Sequence, residues 1–195
     1  MRIVSGRFRG RRLNSPGHLQ LRPTPEKVRE ALFHQIQSRI AGAHFLDAYA
    51  GTGAIGLEAL SRGAASVTFI EKNRRFAALI QKNVRSLDLE DETRLLVEDF
   101  LEACPSEHPF DILFFDPPYH EDYYTRILSH LTHATILRPE SLIILEHFKK
   151  NQLPERTSRL KKVRSRFYGD TVLTFYSGLD YENAILTQDF SQDTF

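Results

Sequence analysis

The stretch Phe45-Leu46-Asp47-Ala48-Tyr49-Ala50-Gly51-Thr52-Gly53-Ala54-Ile55-Gly56 decides the fold. Phe45–Ala48 is a short apolar run suited to a buried strand. Three glycines at spacing GxGxxG then let the backbone turn sharply, and residues 54–63 carry a helical pattern. A strand passing through a glycine turn into a helix opens a parallel βαβ unit.

Outward from this unit the alternation continues. Val67–Ile70, Leu95–Val97, Ile112–Phe115 (as part of a buried run Phe110–Phe115) and Leu142–Leu145 read as apolar strands, with helices near residues 73–87 and 121–135 between them. Continuous apolar strands separated by amphipathic helices imply a mostly parallel sheet covered on both faces. After Lys149 the pattern changes to Val163–Tyr168 and Thr171–Tyr176 joined by Gly169-Asp170, an antiparallel hairpin closing the sheet. The expected fold is therefore α/β and Rossmann-like, with seven strands and helices on both faces. Upstream, Ile3-Val4-Ser5-Gly6 and Phe8-Arg9-Gly10 predict a small β-hairpin in a basic arm, residues 1–23. Thr24 and Pro25 predict a helix start, and Val28, Ala31, Leu32, Ile36 and Ile40 predict one apolar face over residues 25–40. The main domain is expected over 24–180, followed by a polar, mobile tail at 181–195.

At 195 residues, with 41% hydrophobic and 26% charged, the chain suits one soluble domain. A net charge of +1 conceals segregation: residues 1–30 carry eight Arg/Lys against Glu26 and Glu30, whereas 88–107 carry eight acids against Arg94. That asymmetry fits a polyanion-binding face and equally a solvated basic surface. A lone cysteine, Cys104, excludes an internal disulfide. No apolar signal core or bilayer-length run is seen, so a cytoplasmic location and no membrane partner are expected.

Gly51, Gly53 and Gly56, with Glu71 at the next strand tip to accept ribose hydroxyls, fit a dinucleotide and a nucleoside-type cofactor equally well. Asp47 tips the balance. An acid just before the loop suits a cationic ammonium or sulfonium group and is a poor neighbour for a pyrophosphate. Asp99, at the third strand tip, is placed to accept from an adenine amino group, with Phe100 on the adenine face. Three acid-tipped strands converge where such sheets bind ligands.

The second motif is Asp116-Pro117-Pro118-Tyr119 at the end of the Phe110–Phe115 strand. Two prolines remove two amide donors and stiffen the turn, leaving the Asp116 carboxylate and the Pro117 carbonyl as acceptors. Together they suit a planar amino group, with Tyr119 stacking on an extruded base. After the glycine loop this predicts transfer of a methyl group from S-adenosylmethionine to an exocyclic base nitrogen. No metal is expected. A rigid turn with Asp116 capping the next helix is the bland alternative.

Cys104 lies at the wrong strand tip for a nucleophile and reads as a small filler. His120, His130 and His133 lack a further ligand for a metal set and read as surface residues, with His120 beside the catalytic turn. Tyr123 and Tyr124 fit either the base pocket or the core.

Beyond these motifs, residues 1–13 (Met1-Arg2-Ile3-Val4-Ser5-Gly6-Arg7-Phe8-Arg9-Gly10-Arg11-Arg12-Leu13), Leu21–Thr24, Lys27–Phe33 and Leu57–Ala64 resemble blocks of the RsmD family, bacterial methyltransferases of 16S ribosomal RNA. The likeness covers most of residues 1–176. It implies a class I methyltransferase fold whose N-terminal hairpin helps to grip RNA. It implies methylation of guanine N2 (guanine 966 in the usual numbering) on an assembling small subunit, with ribosomal proteins as part of the substrate. Asp116, Pro117 and Tyr119 would hold the guanine amino group. Gly51, Gly53, Glu71 and Asp99, with Asp47, Tyr49 and Phe100, would hold the cofactor. Arg7, Arg9, Arg11, Arg12 and Arg22 would contact phosphates, aided by Lys161, Lys162, Arg164 and Arg166. A monomer is expected. Tyr49 and Thr52 stand where relatives often have phenylalanine and serine. The rival readings are an adenine-N6 or cytosine-N4 methyltransferase, a nicotinamide oxidoreductase, and a non-catalytic RNA-binding module.

Overall fold

The computed structural model describes residues 1–15, 25–103, 109–118, 121–133 and 135–178. Arg22, Thr24, Cys104, Tyr119, His120 and the tail from residue 179 lie outside the described residues.

Seven strands form one sheet in the order β3-β2-β1-β4-β5-β7-β6. They are β1 (His44–Ala48), β2 (Ser66–Ile70), β3 (Thr93–Leu96), β4 (Phe110–Phe115), β5 (Leu137–Phe148), β6 (Leu160–Tyr168) and β7 (Thr171–Gly178). The first five are parallel, and β7 runs antiparallel to both β5 and β6. β1 lies between β2 and β4, so the strand order reverses there. A crevice outside the carboxyl ends at such a reversal is where open α/β sheets take ligands.

Side-chain alternation divides the core in two. Phe45, Val67, Phe69, Ile112, Phe114, Ile144 and Phe175 face one layer together with Leu32, Phe33, Leu57, Leu60 and Ile80. These last residues come from α1 (Glu26–Gln35), α3 (Ala54–Ser61) and α4 (Arg74–Ser86). Leu46, Ala48, Leu113, Phe115, Ile143 and Leu145 face the other layer, with Tyr124, Ile127, Leu128 and Leu131 of α5 (Glu121–His133). Apolar residues on both faces of the strands are what a sheet with helices on both sides requires.

Local differences from the sequence reading have physical causes. The expected helix over 25–40 divides at Ile36 into α1 and α2 (Gln37–Ile40). There the Gln35 carbonyl accepts from Arg164 Nη2 at 3.3 Å, so a long-range donor serves it. Pro25 occupies the N-cap rather than the first helical position, and its carbonyl accepts from the amides of Val28 and Arg29 at 2.9 and 3.0 Å. β3 ends one residue early, leaving Val97 47% exposed.

The N-terminal hairpin is closed by a single antiparallel bridge, Arg2 with Arg12. Its loop is held by the body of the protein. Glu58, buried within α3, accepts from the amides of Val4 and Ser5 at 2.8 and 3.0 Å and from Arg62 Nε at 2.8 Å. Ser61 accepts from the amides of Arg7 and Phe8. No helix among the described residues is long and apolar enough to cross a membrane.

Candidate active site

Register places the site. Ala48 pairs with Ile70 on one side and Phe115 on the other; Ile70 pairs with Leu96, and Phe115 with Leu145. The next residues, Val97, Glu71, Tyr49 and Asp116, therefore leave the sheet along one edge, level with Glu146, where β5 continues beside β7. Neighbouring strands lie about 4.8 Å apart. The glycine loop and the Asp116 turn emerge side by side across the point of strand reversal.

The loop is braced by carboxylates. Asp47 is fully buried, and its Oδ2 accepts from the Gly56 amide at 2.9 Å, tying the end of β1 to the first turn of α3. Glu71 accepts from the Gly51 amide through Oε2 at 2.8 Å and from the Asn73 amide through Oε1 at 2.7 Å. Gly53 stands in the left-handed region at φ 75°. Gly56 has a different purpose: a Cβ there would lie 2.3 Å from Phe69 Cε1 and 2.7 Å from Val67 Cγ1, so only glycine lets α3 sit this close to the sheet.

Tyr49 also adopts a left-handed backbone, φ 62°, which costs a bulky residue of the order of 1–3 kcal/mol. Its ring meets Tyr123 edge-on at 6.1 Å, and its buried hydroxyl has no hydrogen-bond partner among the described residues. Burial, with the charge of Asp99, raises the phenol's pKa.

Burial raises the Asp47 pKa well above the usual carboxylate range, and the charges of Asp116 and Glu71 add to this while the Gly56 amide opposes it. Glu71 is raised as well, chiefly by burial, against the amides of Asn73 and Gly51. Asp99 goes the other way. Burial alone would raise it, but the Leu101 amide, Lys72 and Arg126 bring it below its ordinary value. Lys72 Nζ donates to Asp99 Oδ2 at 3.0 Å. Asp47, Glu71, Asp99 and Asp116 thus converge at the strand tips, with Lys72 and Arg126 as the cations acting on Asp99. A cationic ligand relieves the mutual repulsion of these carboxyl groups, whereas a pyrophosphate would aggravate it.

Other expected residues fall as follows. Phe100 is 1% exposed, with its ring packed on Phe115 at 4.8 Å and His130 at 5.3 Å, so it offers no open face to an adenine. His130 is half-buried, with its ring edge-on to Phe100. Tyr124 is core, edge-on to His147 at 5.8 Å. Tyr123 flanks the cleft beside Lys72 and Arg126. Pro117 is buried and Pro118 exposed.

The arginine loop is not at this edge. Arg7 pairs with Glu92, just before β3 begins, and Arg11 Nη2 donates to the Ser86 carbonyl at the end of α4 at 2.7 Å. Both anchors belong to the opposite, amino edge of the sheet. The side chains of Arg9 and Arg12 are exposed there and make no hydrogen bond or ion pair among the described residues.

Two residues escaped the sequence reading. Lys72, next to Glu71, controls Asp99. Glu146 is 2% exposed, stands level with Asp116 on the adjacent strand, and shares a sheet face with Asp47. Its signal was one acid within the apolar run Leu142–Phe148.

The family model described as Conserved hypothetical protein 95 matches residues 1–177. The chain belongs to this family, the RsmD family. Ribosomal RNA small subunit methyltransferase D of Haemophilus influenzae is 37% identical over 171 residues, covering 83% of this chain and 87% of that protein. Its Escherichia coli K12 namesake is 34% identical over 176 residues, covering 90% and 89%. The solved structure of the Escherichia coli protein yhhF superposes on this RsmD-family chain with a TM-score of 0.82 at 32% identity, covering 91% and 97%.

Proposed function

We propose that the chain is an S-adenosylmethionine-dependent ribosomal RNA methyltransferase that modifies N2 of one guanine, guanine 966 of 16S RNA in the usual numbering, in the small subunit or its assembly intermediate. The carrying observation is the single edge on which the Glu71-braced glycine loop, Asp47 and Asp116 emerge across the strand reversal. The relatives' names support the ribosomal RNA substrate, and the carboxylate-rich tips support a cationic cofactor.

When bound, S-adenosylmethionine supplies an electrophilic methyl group on a sulfonium centre. The glycine loop and Glu71 hold its nucleoside portion, Asp99 its base, and the buried negative charge of Asp47 favours its positive end. Lys72 keeps Asp99 ionised and oriented.

The catalytic turn works on the acceptor. An exocyclic amino group has its lone pair delocalised into the base ring. Acceptors at the Asp116 carboxylate and the Pro117 carbonyl engage its two N–H bonds and favour a tetrahedral nitrogen, directing the lone pair at the methyl group. The same carboxylate is proposed to receive the proton that the methylated nitrogen sheds. Tyr119 is proposed to stack on the extruded base. Positioning and preorganised charge supply the catalysis.

The test incubates the protein and its Asp116→Ala variant with labelled S-adenosylmethionine and small subunits lacking the modification, followed by digestion to nucleosides. Label in N2-methylguanosine is expected, with the variant's rate reduced at least 10²–10³-fold, the usual loss for one preorganised polar contact, while cofactor binding persists. Label in another methylated base would discard guanine N2. No label with any RNA would discard methyl transfer to RNA.

A further inference from the structure

Sheet register carries the site's edge further than its catalytic turn. Leu145 pairs with Thr174, which pairs with Ser165; the next row is Glu146, Leu173 and Arg166, and the rows beyond hold Phe167 and Tyr168. Arg166, Phe167 and Tyr168 therefore stand at the same carboxyl edge as Asp116, on strand β6. Three strand spacings separate them from β4, about 14 Å. Lys149 and Lys150, which follow β5, emerge from that edge as well.

Two properties of this rim are unusual together. Phe167 is 67% exposed, more than any other large apolar residue among those described. Lys149, Lys150 and Arg166 stand at this rim, where the exposed acid is Asp170, paired with Lys149 at 2.7 Å. The Arg166 side chain is exposed and makes no hydrogen bond or ion pair among the described residues. An apolar ring on an unpaired edge strand invites strand-to-strand association unless it is covered. Here the flanking cations oppose a second copy of the same strand. They favour a polyanion that also brings flat, apolar faces to the ring, and single-stranded nucleic acid has both features.

We propose that Phe167 is a stacking platform for an unpaired base of the ribosomal RNA flanking the target nucleotide, with Arg166 and neighbouring lysines holding the adjoining phosphates. This rests on the ribosomal RNA reading above. The platform fixes the side from which the RNA strand enters the crevice, across β5, β7 and β6, away from the cofactor side at β1, β2 and β3.

The protein has no tryptophan, so Phe167→Trp installs a sole indole reporter. Titration with an RNA fragment carrying the target guanine is expected to quench its fluorescence saturably. Phe167→Ala is expected to raise the Kd and KM for that RNA by about 5- to 150-fold, the range for loss of one base–aromatic stack. Cofactor affinity and kcat at saturating RNA stay unchanged, and Phe167→Tyr restores binding. Exposure of the side chain makes unfolding an improbable confounder, and a melting curve checks it. An unaltered KM in an active Phe167→Ala enzyme, or no quench on RNA binding, overturns the platform. A change in oligomeric state without a change in RNA affinity overturns it in favour of a protein contact. Wild-type protein that methylates no RNA sinks the functional reading instead, and the quench then still decides the platform.

Discussion

Gly56 joins the two requirements of the glycine loop, since its amide binds Asp47 and its missing side chain admits the sheet. Replacing it by alanine sets two effects against each other. Within a helix the change gains about 1 kcal/mol of propensity. Against that, the new methyl group meets Phe69 and Val67, both fully buried, at separations that force them to move. Overpacking of this kind costs about 1–3 kcal/mol. Gly56→Ala is therefore expected to lower stability by up to about 2 kcal/mol, read as a reduced midpoint in urea. A stability equal to or above that of the wild type would show that α3 is free to lift off the sheet. Because α3 carries the loop, the same lift predicts weaker cofactor binding in the variant.

At the scale of elements, the β5–β7 pair contains a polar link inside the α5 layer. His147 Nε2 accepts from Thr174 Oγ1 at 2.8 Å while Nδ1 donates to the Phe148 carbonyl at 3.0 Å. Burial, aided by the charge of Lys162 and opposed by the Phe148 hydrogen bond, holds this imidazole below its ordinary value of 6.5. Between the lowered value and 6.5 the unfolded chain binds a proton that the native protein does not. Stability therefore falls as the pH drops through that window. The expected result is a lower Tm near pH 5.5 than at pH 7.5, with a smaller difference in His147→Gln; an equal difference in the variant would mean that other groups dominate. His147 was hidden in the sequence, where the run Leu142–Phe148 shows its apolar period but not which partner strand supplies Thr174. The same limit explains Glu146 and Glu58. The strands, the parallel sheet with its closing hairpin and the turn chemistry were legible because glycine spacing and apolar runs are local signals. The partner of a buried acid in a helix is set by tertiary packing, as with Glu58 and the Val4 and Ser5 amides. The Arg164 donor at the Ile36 break is likewise invisible locally, since it lies 129 residues from Gln35.

Across the whole molecule, positive charge collects at both ends of the strands. The N-terminal loop presents Arg9 and Arg12 at the amino edge, and β6 presents Arg166 at the carboxyl edge beside the catalytic turn. A strand of six residues separates these edges by about 20 Å. A substrate touching both must be large and must cover one face of the protein, which fits a folded ribosomal subunit better than a short oligonucleotide. Each phosphate contact contributes about 0.7–0.9 to the slope of log K against log salt. If both arginines meet phosphates, Arg9→Ala with Arg12→Ala is expected to lower that slope by about 1.4–1.8 for small subunits. For a short fragment around the target guanine, the slope should hardly change. Arg7 and Arg11 contribute less, because Glu92 and the Ser86 carbonyl already engage them. Arg166→Ala should weaken binding of both substrates, and its free-energy effect should add to that of the arginine pair, since sites so far apart are independent. A slope that is unchanged with subunits would remove the amino edge from the interface and leave β6 as its principal basic surface.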